Sequence, residues 1–150
     1  MQYIQQFFSN KMIGVAILSW AIAQLIKIII DIIETKSLDL KLIMSSGGMP
    51  SSHTSFVTSL GFSVGFAEGF DSICFAMCFV LAMVVMYDAA GVRRAAGKQA
   101  AVLNIIMDRL EDHGFRIDVK LKELLGHTPI EVGAGAVLGF VMSVIFFVVL

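Results

Sequence analysis

The composition of the 150-residue chain is that of a membrane protein. Hydrophobic residues make up 57% of it, charged residues only 15%, and the mean hydropathy is +0.85. Soluble domains average about 25% charged residues, and disordered chains combine few apolar residues with a high net charge, whereas the net charge here is -1. Both classes are therefore excluded. The 11 basic and 12 acidic residues give no general attraction to nucleic acid, so we expect no nucleic-acid partner.

Four stretches of the chain predict membrane-spanning helices. A spanning helix needs about 20 mostly apolar residues, and residues 12–30, 72–92 and 131–150 meet this requirement. Residues 50–70 are long enough to cross, but their Ser and Gly content indicates a helix that its neighbours shield from lipid. We therefore predict one all-α domain over residues 1–150, an integral membrane bundle of about four spans.

The basic residues predict the orientation of the spans, because loops rich in Lys and Arg stay in the cytoplasm. Two lysines lie in residues 31–49, and seven of the 11 basic residues follow Tyr87. An even number of crossings places both segments on the same side. We predict a multi-pass protein of the cell membrane, with an amphipathic cytoplasmic segment over residues 93–127.

Two glycine repeats predict close contacts between helices. Gly61 and Gly65 lie one turn apart in the second span, and Gly135 and Gly139 do so in the fourth. Small residues at this spacing let helix backbones approach each other in lipid. The same faces make a homo-oligomer one option, with membrane lipids as the surrounding partners.

The first of three polar clusters is the sequence Ser-Ser-Gly-Gly-Met-Pro-Ser-Ser-His at residues 45–53. Pro50 fits the first turn of a helix, because the N–H that proline lacks has no partner there. A helix start also offers free N–H groups and a positive dipole end, which bind phosphate. Ser51, Ser52 and His53 are therefore candidates for a phosphate site, and a capped helix start with a boundary histidine is the alternative.

The second cluster, residues 87–99, directly follows the third span. Arginine suits bidentate recognition of phosphate oxygens, so Arg93 and Arg94 are candidate phosphate-binding residues together with Lys98. Arg94 and Lys98 share a helix face, and Asp88 is a candidate to orient an arginine. The alternative is an anchor that needs only positive charge on the cytoplasmic side.

The third cluster surrounds His127, just before the fourth span. Thr128 and Glu131 match a capping box, with Pro129 at the first helical position. The carboxylate of Glu131 has two alternative roles. It caps the backbone, or it accepts the ring N–H of His127 and leaves the other ring nitrogen as a nucleophile.

Two histidines at helix starts and a set of cations at one membrane face are the parts that phosphoryl transfer needs. One histidine attacks phosphorus and another protonates the leaving oxygen, while cations and helix N-termini hold the charged oxygens. This chemistry requires no metal, and no local spacing of metal ligands is present in the sequence. We therefore expect neither a metal site nor another cofactor.

The same residues resemble the motifs of a known family. Residues 50–53, Pro-Ser-Ser-His, resemble the Pro-Ser-Gly-His motif of the type 2 phosphatidic acid phosphatase superfamily, which includes the vanadium-dependent haloperoxidases. His127 and Glu131 resemble the His-x-x-x-Asp end of its last motif. Over nearly the whole chain, three motifs in order resemble the superfamily's small divergent branch in bacteria and plants: Gly-Gly-Met-Pro-Ser-Ser-His, Tyr-Asp-Ala-Ala-Gly-Val-Arg-Arg and Gly-His-Thr-Pro-Ile-Glu-Val.

The resemblance implies a membrane phosphatase that acts on a lipid-linked phosphate monoester or diphosphate. It implies that His127 is the nucleophile and becomes phosphohistidine, that Glu131 orients it, and that His53 is the general acid for the leaving group. It also implies that Ser51 and Ser52, with their backbone amides, help to hold the phosphate.

Two parts of the superfamily pattern are missing. The Lys-x6-Arg-Pro motif is absent upstream of Pro50, where Lys41 has no matching Arg-Pro, and Leu121 stands where the last motif has an arginine. We expect other cations to replace this phosphate clamp. The candidate phosphate-binding cations are Lys41, Arg93, Arg94 and Lys98.

Two other classes of function remain alternatives. A catalytically inactive protein that binds a phosphate or lipid head group fits the missing motifs. A small transporter fits Gln24 and Lys27 inside the first span, because polar groups within a membrane often serve transport. Lys27 also fits a side chain that snorkels to the interface or pairs with a nearby acid.

Overall fold

The computed structural model describes residues 1–36, 48–113, 120–121, 123 and 126–150, and every regular element in these residues is helical. The helices are α1 (Gln2–Phe8), α2 (Lys11–Thr35), α3 (Ser52–Glu68), α4 (Ile73–Ala90), α5 (Val92–Asp112) and α6 (Pro129–Val144). The last helix continues as a short π-helical segment, Ile145–Val149. The predicted all-α membrane bundle is confirmed.

Side-chain caps determine where the bundle helices begin. The side chains of Asn10, Ser51 and Ser72 accept hydrogen bonds from backbone N–H groups in the first turns of α2, α3 and α4. At α6, Thr128 and Glu131 form the capping box that the sequence predicts, with proline at the first helical position. Such caps satisfy N–H groups that no intrahelical bond reaches.

The position expected for Pro50 is wrong. Pro50 precedes Ser51, the N-cap of α3, and the helix begins at Ser52. The hydroxyl of Ser51 accepts the N–H of Thr54 at 3.4 Å. Because serine is a favoured N-cap, it sets the helix start and leaves the proline outside the first turn.

Helix α3 lies at the centre of the bundle and packs against α2, α4 and α6. It runs antiparallel to α2, since Ser55 bonds to Ser19 while Gly48, seven residues earlier, lies against Lys27, eight residues later. The C-terminal part of α2 therefore lies beside the N-terminal end of α3.

The closest approach of α3 to another helix is at the glycines of α6. A Cβ atom on Gly139 would lie 2.6 Å from the carbonyl oxygen of Ser55, and one on Gly135 would overlap the carbonyl oxygen of Ser51. The two helices are therefore parallel, with both N-termini at the same end. The close contact predicted for the glycines of the fourth span is confirmed.

The glycines of the second span behave differently. A Cβ atom on Gly61 would lie 3.9 Å from the Cβ of Cys78, which is an ordinary contact, whereas one on Gly65 would lie 2.5 Å from the ring of Phe70. The close contact at Gly65 is thus made to an aromatic side chain rather than to a helix backbone.

Hydroxyl groups connect α3 to its neighbours. The hydroxyl oxygens of Ser19 and Ser55 are 2.7 Å apart. On the other side, Ser143 donates to the carbonyl oxygen of Ser59 at 2.8 Å, and Ser63 donates to Ser143 at 3.3 Å. Buried polar groups need such partners, so the serine-rich α3 belongs inside the bundle, as its composition predicts.

Three of the four predicted spans are long and apolar enough to cross a membrane. They are Lys11–Thr35, Ile73–Asp112, which combines α4 with α5, and Pro129–Val149. The predicted span at residues 50–70 corresponds to α3, which has 17 residues and falls short of this criterion because of its length and its many Ser and Gly residues.

The segment predicted to be amphipathic begins with α5. Its Gly97, Ala100 and Asn104 are buried, and the side chain of Asn104 bonds to both the N–H and the carbonyl oxygen of Leu121, each at 2.9 Å. These bonds hold the returning chain beside α5. His113 is exposed at the end of the helix, as expected for a histidine on a charged turn.

Candidate active site

One end of the bundle brings the three polar clusters together. The N–H of Ser51 donates to the carbonyl oxygen of Glu131 at 3.0 Å, which joins the start of α3 to the start of α6. The N–H of His127 donates to the carbonyl oxygen of Ala89 at 2.9 Å, which joins the same region to the end of α4. Backbone bonds rather than flexible side chains therefore set the relative positions of the clusters.

Gly126 explains how the chain reaches this position. It has a φ of +88°, which glycine adopts readily, and a Cβ atom there would lie 2.5 Å from the backbone nitrogen of Arg94. The absent side chain lets the loop lie directly on the first turn of α5. The following residue, His127, is then delivered to the bundle end.

The side chain of His127 is almost fully enclosed, with 3% of the residue exposed. Its Nδ1 atom lies 2.9 Å from Oε2 of Glu131. Its Nε2 atom is buried and has no hydrogen-bond partner among the described residues. Since most buried polar atoms in proteins are bonded, this nitrogen requires an explanation.

Glu131 makes both of the contacts on which the two alternative roles depend. Its Oε2 atom accepts the backbone N–H of Thr128 at 3.2 Å as part of the capping box, and the same atom lies 2.9 Å from Nδ1 of His127. In return, the Glu131 N–H donates to the Thr128 hydroxyl at 3.3 Å. The cap therefore fixes the carboxylate against the imidazole.

The start of α3 supplies buried polar groups beside this pair. Ser51 and Ser52 are 0% and 2% exposed. The Ser51 hydroxyl accepts from the N–H and the hydroxyl of Thr54, at 3.4 and 3.0 Å, so it is engaged as a cap. The amides of the first turn of a helix have no intrahelical acceptor, which leaves those of Ser52 and His53 suited to an anion.

His53 and Arg93 both line a cavity of about 340 Å³. His53 also lies within electrostatic range of His127. Nε of Arg93 bonds to Oδ2 of Asp88 at 2.6 Å, and both side chains are partly exposed. The structure therefore places Asp88 in contact with Arg93, one of the two arginines that it is predicted to orient.

The other predicted cations lie elsewhere. Arg94 contacts the site region through its backbone, and its residue is exposed; Lys98, one turn further along α5, is exposed as well. Lys41 lies outside the described residues. Of the three expected phosphate-binding cations that the structure describes, only Arg93 lines the cavity with His53.

Sequence reasoning did not assign Lys27 to this site. It is 3% exposed and lies within electrostatic range of both Glu131 and His53. A Cβ atom on Gly48 would lie 3.2 Å from its Cγ atom. It lies on the same helix face as the buried Ala16, Ser19 and Ala23, but no local sequence pattern indicates what it meets there.

No group of three His, Cys, Asp or Glu side chains suited to a metal ion occurs within the part of the chain that the structure describes. The bundle end brings together two histidines, the cations Lys27 and Arg93, the starts of α3 and α6, and two carboxylates, of which Asp88 bonds to Arg93 and Glu131 to His127. Such a set of groups can bind an anion, hold a lone pair ready on one nitrogen, and supply a proton from another.

Comparison with known proteins places the chain in a family. The family model described as the divergent PAP2 family matches residues 8–142. The chain is also 42% identical over 134 residues to the uncharacterized membrane protein YuiD of Bacillus subtilis (strain 168), an alignment that covers 82% of this chain and 85% of the relative. No solved structure matches the chain. The chain belongs to the divergent PAP2 family.

Proposed function

We propose that the protein is a membrane phosphatase that hydrolyses a lipid-linked phosphate monoester or diphosphate through a phosphohistidine intermediate, with no metal. The observation that carries this proposal is the state of His127. One ring nitrogen is 2.9 Å from a fixed carboxylate, and the other is buried with no hydrogen-bond partner among the described residues. A buried polar atom without a hydrogen bond lowers the stability of the folded protein. A role for Nε2 as the nucleophile accounts for its being left unbonded.

In the first step, the carboxylate of Glu131 keeps the proton on Nδ1 of His127, so the lone pair is on Nε2. Nε2 attacks phosphorus and the bond from phosphorus to the leaving oxygen breaks. His53 donates a proton to that oxygen. Glu131 stabilises the positive charge that forms on the imidazole, and Arg93 stabilises the phosphoryl oxygens.

In the second step, water attacks phosphorus and the bond to Nε2 breaks. His53, now neutral, accepts the proton of the water. Nε2 of His127 recovers its lone pair and inorganic phosphate leaves. The two histidines thus return to their starting protonation states, and the balance requires no other reactant than water.

The cavity beside His53 supports a lipid as the substrate. Its polar side chains, His53 and Arg93, share it with apolar walls. The apolar lining residues are Trp20, Phe56, Val57 and Val85. A phosphorylated lipid has the same distribution, with a charged head group on an apolar chain. A water-soluble phosphate ester has no apolar chain to contact these walls.

The cytoplasmic face of the cell membrane is the proposed location of the site. The bundle end that carries His127 adjoins the start of α5, and seven of the 11 basic residues of the chain follow Tyr87. Segments rich in Lys and Arg stay on the cytoplasmic side. Lipid phosphate head groups are present at that interface.

Phosphate release by the purified protein tests the proposal. The full chain in detergent, with EDTA present, would be given phosphatidate, phosphatidylglycerol phosphate, and polyprenyl phosphates and diphosphates. We expect release from at least one lipid, and its loss in His127→Ala by about 1000-fold or more. Equal release by His127→Ala would contradict the proposed role of this residue.

Absence of release from every lipid would remove the phosphatase proposal. Binding of inorganic phosphate by the same preparation would then favour the catalytically inactive binding protein. Solute flux in liposomes that His127→Ala leaves unchanged would instead favour a transporter.

A further inference from the structure

A lysine from inside the first membrane-spanning helix lies against the loop that leads into α3. Lys27 is the 17th of the 25 residues of α2, about two turns before the helix ends. It extends the buried face of Ala16, Ser19 and Ala23 and is itself only 3% exposed. Its side chain is therefore directed into the bundle and does not extend to the membrane surface.

The register between α2 and α3 determines what Lys27 meets. Ser19 bonds to Ser55. Because the two helices are antiparallel, the residue eight positions further along α2, Lys27, lies beside the chain just before α3. There the Cγ and Cδ atoms of Lys27 would lie 3.2 and 3.3 Å from a Cβ atom on Gly48. Gly48 has a φ of +89° and carries no side chain, so the aliphatic stem of the lysine passes directly over the loop.

The charge of Lys27 acts on the groups of the proposed active site. Glu131 and His53 both lie within its electrostatic range, although they belong to α6 and α3. A buried ammonium group is costly unless opposite charge lies near it. Glu131 is one such charge, and it is shared with the capping box and with His127.

We infer that Lys27 is a phosphate-binding residue of the site, which holds the substrate phosphate from the membrane side while Arg93 holds it from the surface side. This inference rests on the proposed function and supplies a cation in place of the missing clamp motif. It gives Lys27 a role different from the transporter interpretation. An ammonium group is a compact donor with up to three N–H groups and binds phosphate as a point charge.

Two neutral variants and one matched control test this inference. Lys27→Met keeps the length and apolar stem of the side chain, and Lys27→Gln keeps a polar tip in case the first variant does not fold. Lys11→Met is the control, because Lys11 is exposed at the opposite end of the same helix. The probe is radiolabelled inorganic phosphate, measured by equilibrium dialysis with the full chain in detergent, with lipid-phosphate KM as a second readout.

We expect both Lys27 variants to weaken phosphate binding about tenfold or more and to raise KM, with Lys11→Met equal to the unmodified chain. Unchanged binding in the folded Lys27 variants would overturn the inference while leaving the phosphatase proposal intact. Phosphate binding without lipid hydrolysis would end the phosphatase proposal, and the Lys27 comparison would still decide the inference. No phosphate binding by the unmodified chain would overturn the inference as well.

Discussion

His127 and His53 lie at the starts of two parallel helices, yet their surroundings differ. His127 is held at its backbone by Ala89 and at its ring by Glu131, and it is 3% exposed. His53 is exposed and lines a cavity with Arg93. A nucleophile gains from a fixed orientation, whereas a general acid needs access to a leaving group and to water. The difference is consistent with the two proposed roles.

We expect the largest difference between the His53 and His127 variants when the leaving group of the substrate is changed. We expect His53→Ala to lower kcat on a lipid phosphate about 1000-fold, within the usual range for general acid catalysis. With an aryl phosphate whose leaving oxygen needs no protonation, the loss should be much smaller. Initial rates of phosphate release measure both values.

His127→Ala provides the contrast, because a nucleophile is required whatever the leaving group. Its loss should be equally severe with the lipid and with the aryl phosphate. If the aryl phosphate restored His127→Ala and not His53→Ala, the two assignments would have to be exchanged.

A substitution at Glu131 can remove the carboxylate that orients His127 while keeping the N-terminal cap of α6. Glutamine also serves in a capping box, so Glu131→Gln should fold normally but lose the carboxylate that sets the imidazole tautomer. We expect kcat to fall about 100-fold, since wrong-tautomer effects in related catalytic pairs are large.

Thr128→Ala is the matched control for that variant. It removes the other half of the capping box and should lower stability by about 0.5–2 kcal/mol, while kcat per folded molecule stays near that of the unmodified chain. Equal kcat for Glu131→Gln and Thr128→Ala would mean that Glu131 acts only as a cap.

Arg93 also lines the cavity beside His53, and we expect its substitution to have a smaller effect on the reaction than substitution of the histidines. Arg93→Met should raise KM for a lipid phosphate about tenfold, because one charge-assisted contact is lost. Arg109→Met, which changes an exposed arginine near the end of the same helix, should leave KM within about twofold. A similar KM increase in both variants would indicate that general positive charge, rather than the Asp88–Arg93 pair, attracts the substrate.

We expect the smallest effect from a change in the spacing between α3 and α6, whose starts lie near His53 and just after His127. Gly135→Ala forces α6 away from the Ser51 carbonyl, and such overpacking typically costs about 1–3 kcal/mol. Gly133→Ala meets nothing within 4 Å and should be neutral or slightly stabilising, because alanine favours helix. Thermal unfolding in detergent measures the difference, and equal midpoints would show that the close contact does not set the spacing.

Local features of the site were accessible from the sequence. The capping box at Thr128 and Glu131 depends on residues three apart, and its proline fits the first turn, so the start of α6 was predictable in detail. The enclosed position of α3 followed from its hydroxyl content. The helix start near Pro50 was misplaced by two residues because Ser51 competes for the cap.

Features that depend on packing between helices were not accessible. Helical spacing favoured Arg94 with Lys98, but the chain breaks regular helix geometry at Gly91, and Arg93 pairs with Asp88 instead. Lys27 reaches the site only through the antiparallel register of α2 and α3. Neither arrangement is encoded in the spacing of residues along one helix.

Trapping the phosphoryl group on His127 tests the central claim most directly. The full chain would be mixed briefly with a lipid phosphate labelled in its phosphate group, quenched in alkali, and digested for mass spectrometry. We expect an alkali-stable, acid-labile label on the peptide that contains His127, and none in His127→Ala. A label on a different residue, or the same label in His127→Ala, would contradict the proposed phosphohistidine mechanism.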